Sequence, residues 1–189
     1  IMAYRPDVSL RGGPFSALDA YLKEQLLLEL LELLKDYSGD VILVTHSRDE
    51  AYKICPELMI VWEGRQMEKG STRALFQNPE YLETARMTGC KNLLKARKCG
   101  PNEMELTELG IRLVSEQPVL DDVRYAGLRA HYFYVPADPA NEVNLLHPLD
   151  FQEPEAPFDI NVLFHTHARA PCLCWTLEKE PSNRLRRNI

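Results

Sequence analysis

Residues 41–51 have the sequence VILVTHSRDEA, and this stretch decides the fold expected for the first part of the chain. The unbroken run of β-branched and aliphatic residues at 41–45 predicts a strand covered on both faces in a parallel sheet. His46 follows the strand directly, and Ser47 is placed to cap a short helix over residues 48–54. A buried strand that leads at once into a helix is typical of an α/β protein.

The residues before this strand predict a long helix. Residues 13–19 have the sequence GPFSALD, and leucines at three- and four-residue spacings follow them. This spacing predicts a helix over residues 17–37 with Ser16 as its N-cap. Additional leucines widen its apolar face, so we expect the helix to be buried on more than one side.

Further along the chain, the pattern changes from mixed elements to short strands. Residues 58–62 and 66–70 predict a β-hairpin, and two short helices are expected to follow it. After residue 90 the apolar runs are short and are separated by turn residues, which is typical of a small β-barrel-like domain. Strands are expected there at residues 93–98, 104–106, 111–114, 125–135, 143–149, 160–165 and 172–177. We therefore predict an α/β domain over residues 1–90 and a β-rich domain over residues 91–189.

Composition excludes several classes of protein. The 189 residues carry a formal net charge of -6, which argues against a nucleic-acid-binding protein with a basic groove. No window of eighteen apolar residues occurs, so no bilayer-spanning segment is expected. The five cysteines are odd in number and irregularly spaced, which does not suit a disulfide framework and favours the reducing cytoplasm.

Together, residues 13–19 and 41–51 resemble the D-loop and the switch-histidine segment of ABC transporter ATPases. The resemblance implies a partial P-loop NTPase fold followed by a further domain. It implies that Ser16 and Asp19 face the nucleotide site of a partner subunit in a homodimer. It also implies that His46 contacts the γ-phosphate and the attacking water. The alternatives are an N-cap role for Ser16, a favourable first-turn charge for Asp19, and a surface position for His46.

The sequence departs from this family in its metal and base positions. Gly12 and Gly13 stand where the family has an Asp that supports Mg²⁺ and a Glu that activates water. The glycine-rich phosphate loop and the Leu-Ser-Gly-Gly-type signature, which the family places upstream of the D-loop, are absent from this sequence. We therefore expect a fragment or a truncated reading frame. ATP and Mg²⁺ are the ligands that the family implies, but this chain alone is expected not to hydrolyse ATP.

Residues 87–92 and 123–131 resemble the C-terminal portion of molybdate- and sulfate-type importer ATPases, in which an oligomer-forming β domain follows the motor. The resemblance implies ATP-driven import of an oxyanion such as molybdate. It also implies a cytoplasmic homodimer at the inner face of the cell membrane, beneath a permease subunit. Arg129 and His131, at positions i and i+2 of a predicted strand, could offer an anion two donors. The alternative is an exposed alternating strand.

Two other interpretations remain open. The chain could be a non-catalytic module whose β domain binds an oxyanion or mediates dimerisation. His165, His167, Cys172 and Cys174 are residue types that bind zinc or copper. A Cys-x-Cys pair inside an apolar run is also typical of an ordinary strand, so we assign no metal site to them.

Overall fold

A computed structural model of the chain describes residues 7–13, 18–153 and 159–178. The chain forms two units, Ile1–Thr88 and Gly89–Ile189. The boundary predicted after residue 90 lies close to this division. Whether the two units are the motor and the regulatory domain stays a prediction.

The first unit mixes strands and helices, as expected. Its elements are β1 Val8–Gly12, α1 Ala20–Lys35, β2 Asp40–Val44, α2 Arg48–Ile54, β3 Glu57–Trp62, β4 Arg65–Ser71, α3 Thr72–Gln77 and α4 Leu82–Met87. Strands β1 and β2 pair in parallel, with Val8 opposite Asp40. Strands β3 and β4 form the predicted antiparallel hairpin. Glu63 and Gly64 in its turn have φ values of 49° and 75°, the positive values that tight hairpin turns require.

Helix α1 begins later than predicted. Its N-cap is Asp19, whose carboxylate accepts the Leu22 N–H at 2.9 Å, so the prediction of Ser16 as N-cap is wrong. Both residue types are good N-caps, and the chain uses the one that lies next to the first helical turn. Ser16 itself lies outside the described residues.

Apolar burial in the first unit is smaller than predicted. Strand β2 exposes alternate residues, with Ile42 at 53% and Val44 at 59%, so it is not covered on both faces. The reason is that β1 and β2 form a two-stranded sheet within the described part of the chain. On α1, Leu27 is buried whereas Leu28 and Leu33 are exposed, so the predicted burial on several sides is wrong as well.

The second unit contains two antiparallel sheets. Its strands are β5 Asn92–Gly100, β6 Glu103–Leu106, β7 Ile111–Val114, β8 Tyr125–Leu128, β9 Asp150–Gln152, β10 Asp159–His165 and β11 Leu173–Glu178. The strand orders are β7-β6-β5-β8 and β11-β10-β9. Both sheets contribute to one apolar core, which includes Leu94, Leu106, Val162, Phe164 and Leu173. Strands β7 and β8 are the outer strands of the larger sheet and do not pair with each other, so the described residues form no closed barrel and the barrel-like prediction is wrong.

Two of the predicted strands differ from the structure. The strand predicted at 125–135 ends at Leu128, because the 3-10 helix Ala130–Tyr132 follows it. The strand predicted at 143–149 does not form. Asn144 instead uses its side-chain amide at the edge of β7, where it accepts from the Val114 N–H and donates to the Val114 carbonyl, both at 2.8 Å. A side chain thus takes the place of a backbone partner.

Asn92 joins the two sheets of the second unit. It lies in β5 and is only 3% exposed. Its amide nitrogen donates to the carbonyls of Leu128 at 2.9 Å and Cys174 at 2.8 Å, and its oxygen accepts the Cys174 N–H at 2.7 Å. One side chain therefore connects backbone groups of β8 and β11 through three hydrogen bonds.

Candidate functional site

The carboxyl ends of β1 and β2 bring several predicted site residues together. Gly12 pairs with Val44 in the register of the sheet, and the Gly13 N–H donates to the Val44 carbonyl at 2.8 Å. His46 follows the end of β2 and therefore lies at the same sheet edge. Ligands of open parallel sheets bind at this edge. The predicted metal and base positions and the predicted phosphate-contacting histidine therefore lie at the same edge of this sheet.

His46 occupies the turn between β2 and α2, and its side chain is exposed. Ser47 caps α2 as predicted, and its hydroxyl accepts the Glu50 N–H at 3.4 Å. A neutral imidazole has one donor and one acceptor nitrogen, so it can donate to a phosphate oxygen or accept from water. An exposed imidazole at a sheet edge is accessible to a ligand.

A hydrogen-bonded network, formed by Lys23, Thr45, Ser47 and Glu50, surrounds the turn that carries His46; we call it the Glu50 network. The Lys23 ammonium lies 2.7 Å from Glu50 Oε1, and the Thr45 hydroxyl donates to Glu50 Oε2 at 2.5 Å. Lys23 also donates to Ser47 Oγ at 3.3 Å, and the Ser47 N–H donates to Thr45 Oγ1 at 3.0 Å. Both residues adjacent to His46 are therefore fixed by hydrogen bonds.

Glu50 carries a buried negative charge, since the residue is only 2% exposed. Burial acts to raise the pKa of its carboxyl group. The hydrogen bonds from Lys23 and Thr45, together with the positive charge of Lys23, outweigh burial and hold that pKa below its ordinary value. Glu50 is consequently a carboxylate at neutral pH and needs its partners to remain buried.

Sequence reasoning missed the roles of Lys23 and Glu50. Ser47 and Glu50 have the spacing of a capping box, in which the acidic side chain returns to the N-cap N–H. That spacing could have indicated Glu50. The actual arrangement is indirect, because Glu50 binds the Thr45 hydroxyl and Thr45 accepts the Ser47 N–H. Lys23 gave no local signal, since its partners lie on other elements.

Gly12 and Gly13 do not fit a Mg²⁺ ion. Neither residue has a side-chain oxygen, and within the described ranges no three His, Cys, Asp or Glu side chains form a group that could hold a metal ion. A Cβ atom added to Gly12 would meet nothing within 4 Å, so the space for a side chain exists. Gly13 has a φ of 48°, which lies in the left-handed region that favours glycine.

The D-loop assignment stays a prediction. Ser16 lies outside the described residues, and Asp19 is exposed and serves as the N-cap of α1. An N-cap role does not conflict with a role across a dimer.

The proposed donors Arg129 and His131 do not lie on one strand face. Arg129 follows the end of β8, and His131 is exposed in the 3-10 helix, with its ring 4.4 Å from the ring of Tyr132. Burial raises the pKa of the Cys90 thiol, and the positive charge of Arg129 acts in the opposite direction. The strand alternation that motivated an anion site is therefore absent at these residues, although the site itself stays a prediction.

The histidines and cysteines near the end of the second unit have separate partners. His165 Nδ1 lies 3.0 Å from Asp150 Oδ1, and His167 Nδ1 accepts the Arg169 N–H at 3.4 Å. Cys172 is exposed, and Cys174 Sγ contacts Asn161 Oδ1 at 3.8 Å. The part of the chain that the structure describes holds no metal-binding group at these side chains.

No helix in residues 7–13, 18–153 and 159–178 combines the length and the apolar character needed to cross a membrane.

Over about half of its length the chain is similar to ATP-binding subunits of ABC importers. An Fe(3+) ions import ATP-binding protein of Haemophilus influenzae is 34% identical over 101 residues, which are 53% of this chain and 29% of that protein. A molybdate/tungstate import ATP-binding protein of Pyrococcus horikoshii is 31% identical over 94 residues, 50% of this chain and 27% of that protein. A spermidine/putrescine import ATP-binding protein of Nitratidesulfovibrio vulgaris is 33% identical over 91 residues, 48% of this chain and 25% of that protein. The chain thus spans less than a third of each of these relatives.

These relatives confirm the resemblance in part. Homologues over half of the chain are ABC import ATP-binding subunits, which supports a partial P-loop NTPase-like fold. The relatives differ in the substance that their names say they import, so they do not specifically support the molybdate and sulfate type. No model of a known protein family matches the chain.

Proposed function

We propose that this chain is the C-terminal portion of the ATP-hydrolysing subunit of an ABC importer. The observation that carries the proposal is the position of His46, which is exposed at the carboxyl edge of a parallel sheet and is flanked by residues that the Glu50 network fixes. Relatives that match half of the chain are ABC import ATP-binding proteins, which supports the same function.

In this proposal the imidazole of His46 donates a hydrogen bond to a terminal phosphate oxygen of ATP. Phosphoryl transfer depends mainly on positioning and charge stabilisation, which suits a histidine in a fixed turn. The chain itself supplies neither a Mg²⁺ ligand nor a base at Gly12 and Gly13, and its sequence has no phosphate loop. We therefore expect the 189-residue chain to bind ATP weakly and to show no ATP turnover above background. Phosphate release that disappears in His46→Ala would contradict that expectation.

Titration of the isotope-labelled full chain with ATP, followed by NMR, tests the proposal. We expect a dissociation constant of roughly 1 mM or weaker, equivalent to a binding free energy of only about 4 kcal/mol. Resonances of Gly13, His46 and Ser47 should move, and ADP should move the ring signals of His46 less than ATP does. His46→Gln should abolish the difference between the nucleotides, whereas the matched control His131→Gln should keep it. Shifts confined to residues 89–189, or equal shifts of His46 with ATP and ADP, would reject the proposal.

The assembly and the transported substance belong to the same proposal. The intact subunit works as a homodimer at the cytoplasmic face of a membrane permease, and Ser16 and Asp19 face the nucleotide of the partner subunit. The cargo is an oxyanion such as molybdate. Cells that lack this chain should then lose molybdate uptake and keep the uptake of iron(III) and spermidine. If the cells lost uptake of iron(III) or spermidine instead, that substance would replace the oxyanion as the proposed cargo.

The second candidate function is a non-catalytic binding or dimerisation module. The second unit has a core formed by both of its sheets, which favours a module with its own function. Molybdate or sulfate should then raise the melting temperature of the chain by an amount that grows with ligand concentration. Arg129→Gln should remove this effect, and the exposed control Arg112→Gln should not. If neither anion changed the melting temperature, the second candidate would be rejected and only the first proposal would remain.

A further inference from the structure

We propose that Lys23 and Glu50 are positioning residues for His46, and that they couple the first turn of α1 to the turn that carries this histidine. The inference rests on the proposed function, because it takes His46 as the group that faces phosphate. It adds two residues that contact no nucleotide and act through Thr45 and Ser47.

Lys23 connects two distant parts of the chain. Its backbone N–H donates to the carbonyl of Asp19, the N-cap of α1, at 2.9 Å. Its ammonium contacts Glu50 at 2.7 Å and Ser47 Oγ at 3.3 Å. The same residue is thus bonded to the start of α1 through its backbone and to the start of α2 through its side chain.

Glu50 transmits this connection to both neighbours of His46. Its carboxylate accepts from the Thr45 hydroxyl, and the Thr45 oxygen accepts the Ser47 N–H. The carboxylate is buried, so the loss of Lys23 would leave an unpaired charge inside the protein, and this penalty keeps the network closed. The backbone on each side of His46 is therefore fixed relative to α1.

This arrangement makes the environment of His46 dependent on the first turn of α1. If that turn is displaced, the Lys23 backbone moves with it. The Lys23 ammonium then either displaces Glu50 and Ser47 or loses its contacts with them. Asp19 controls the turn through its bond to the Leu22 N–H. A change of Asp19 should consequently reach His46, although His46 lies on a different element.

The test uses the full chain without nucleotide and follows the imidazole signals of His46 by proton–carbon NMR. Amide hydrogen exchange at Ser47 and Glu50 is measured on the same samples. Lys23→Met keeps most of the apolar stem and removes the charge, and Glu50→Gln keeps the shape and removes the charge. Both should move the His46 signals and accelerate exchange at the two amides by about tenfold or more. Lys23→Arg should restore both readouts, and the control Asp49→Asn, an exposed acid in the same helical turn as Glu50, should change neither.

A double-mutant comparison tests the coupling itself. Asp19→Ala should move the His46 signals in the otherwise unchanged chain, and this effect should largely vanish in the Lys23→Met background. An equal effect of Asp19→Ala in both backgrounds would overturn the proposal, as would unchanged His46 signals in Lys23→Met and Glu50→Gln. If Lys23→Met does not fold, the same comparison is made in Glu50→Gln. Because no nucleotide is present, failure here is distinct from failure of the ATP titration.

Discussion

The β1–β2 sheet of the first unit and the two sheets of the second unit contain similar apolar residues, but these are exposed in the first unit and buried in the second. In the second unit, Leu106 and Leu173 are 0% and 1% exposed, because each sheet covers the apolar face of the other. In the first unit, Leu10 is 71% exposed and lies opposite Ile42, which is 53% exposed. Apolar strands therefore form in both places, but only packing between two layers turns them into a core.

The largest expected effect comes from one substitution made in both regions. Leu106→Ala should destabilise the second unit by about 2–5 kcal/mol, because it leaves a cavity in a packed core. Leu10→Ala should change stability by less than about 0.5 kcal/mol, since surface substitutions rarely do more. Urea unfolding of both variants measures the difference in the free energy of unfolding. Equal losses would mean that the two regions do not differ in how far their apolar residues contribute to a core.

The exposed face of β1–β2 should also make the chain associate. Contiguous exposed apolar residues favour self-association and the binding of hydrophobic dyes. Leu10→Thr combined with Ile42→Thr should lower dye fluorescence and light scattering, whereas Val114→Thr, an exposed position in the second unit, should not. A wild-type chain that is monomeric and binds no dye would count against the prediction.

Substitution of Asn92 should break the hydrogen bonds that connect the two sheets of the second unit without removing apolar core residues. Asn92→Leu removes three hydrogen bonds and should cost about 2–4 kcal/mol, because the backbone groups of Leu128 and Cys174 lose their bonds to a buried side chain. Asn144→Ala removes two exposed hydrogen bonds at a sheet edge and should cost about 1 kcal/mol or less. Comparable losses for the two variants in chemical denaturation would mean that Asn92 does not join the sheets.

Acid should weaken the first unit through Glu50. The folded-state pKa of this carboxyl is below its ordinary value of 4.5, so its stabilising contribution is present above that pH. It is lost as the pH falls through the folded-state pKa, because the protonated carboxyl no longer pairs with Lys23. Glu50→Gln should lower stability at neutral pH and flatten this acid dependence. Asp150 also has a lowered pKa, through hydrogen bonds with His165, but it is exposed, so Asp150→Asn should change the acid profile less.

Effects smaller than those of Leu106→Ala and Asn92→Leu are expected at the two glycines of the candidate site. Gly12→Asp should be tolerated within about 0.5 kcal/mol, because the added side chain enters open space. Gly13→Glu should cost about 1 kcal/mol or more, because a φ of 48° is unfavourable for a residue with a Cβ atom. In the ATP titration, Gly12→Asp should make the His46 shift depend on Mg²⁺, and the exposed control Gln66→Glu should not. If the His46 shift in Gly12→Asp did not depend on Mg²⁺, one carboxylate at this sheet edge would be insufficient to bind the ion.

Local signals explain the parts of the fold that the sequence predicted. The aliphatic run and Ser47 gave β2 and α2, since strand propensity and N-capping act over a few residues. Turn chemistry gave the hairpin at Glu63 and Gly64. The same signals did not predict the start of α1 correctly. Ser16 and Asp19 are both good N-cap residues three positions apart, and N-cap propensity alone does not choose between them. They also failed at residues 143–149, where Asn144 satisfies the edge of β7 with its side chain.

The sequence by itself determined which segments become helices and strands in the first unit, and it placed His46 at a strand end. Only the tertiary structure decided which side chains meet. Asn92 bonds to residues 36 and 82 positions away, and Lys23 bonds to Ser47, 24 positions away. Caps and turns depend on neighbours within a few residues, so they can be predicted locally. Buried polar contacts depend on which backbone and side-chain groups the folded chain brings within hydrogen-bonding distance, and for Asn92 and Lys23 no local pattern contains that information.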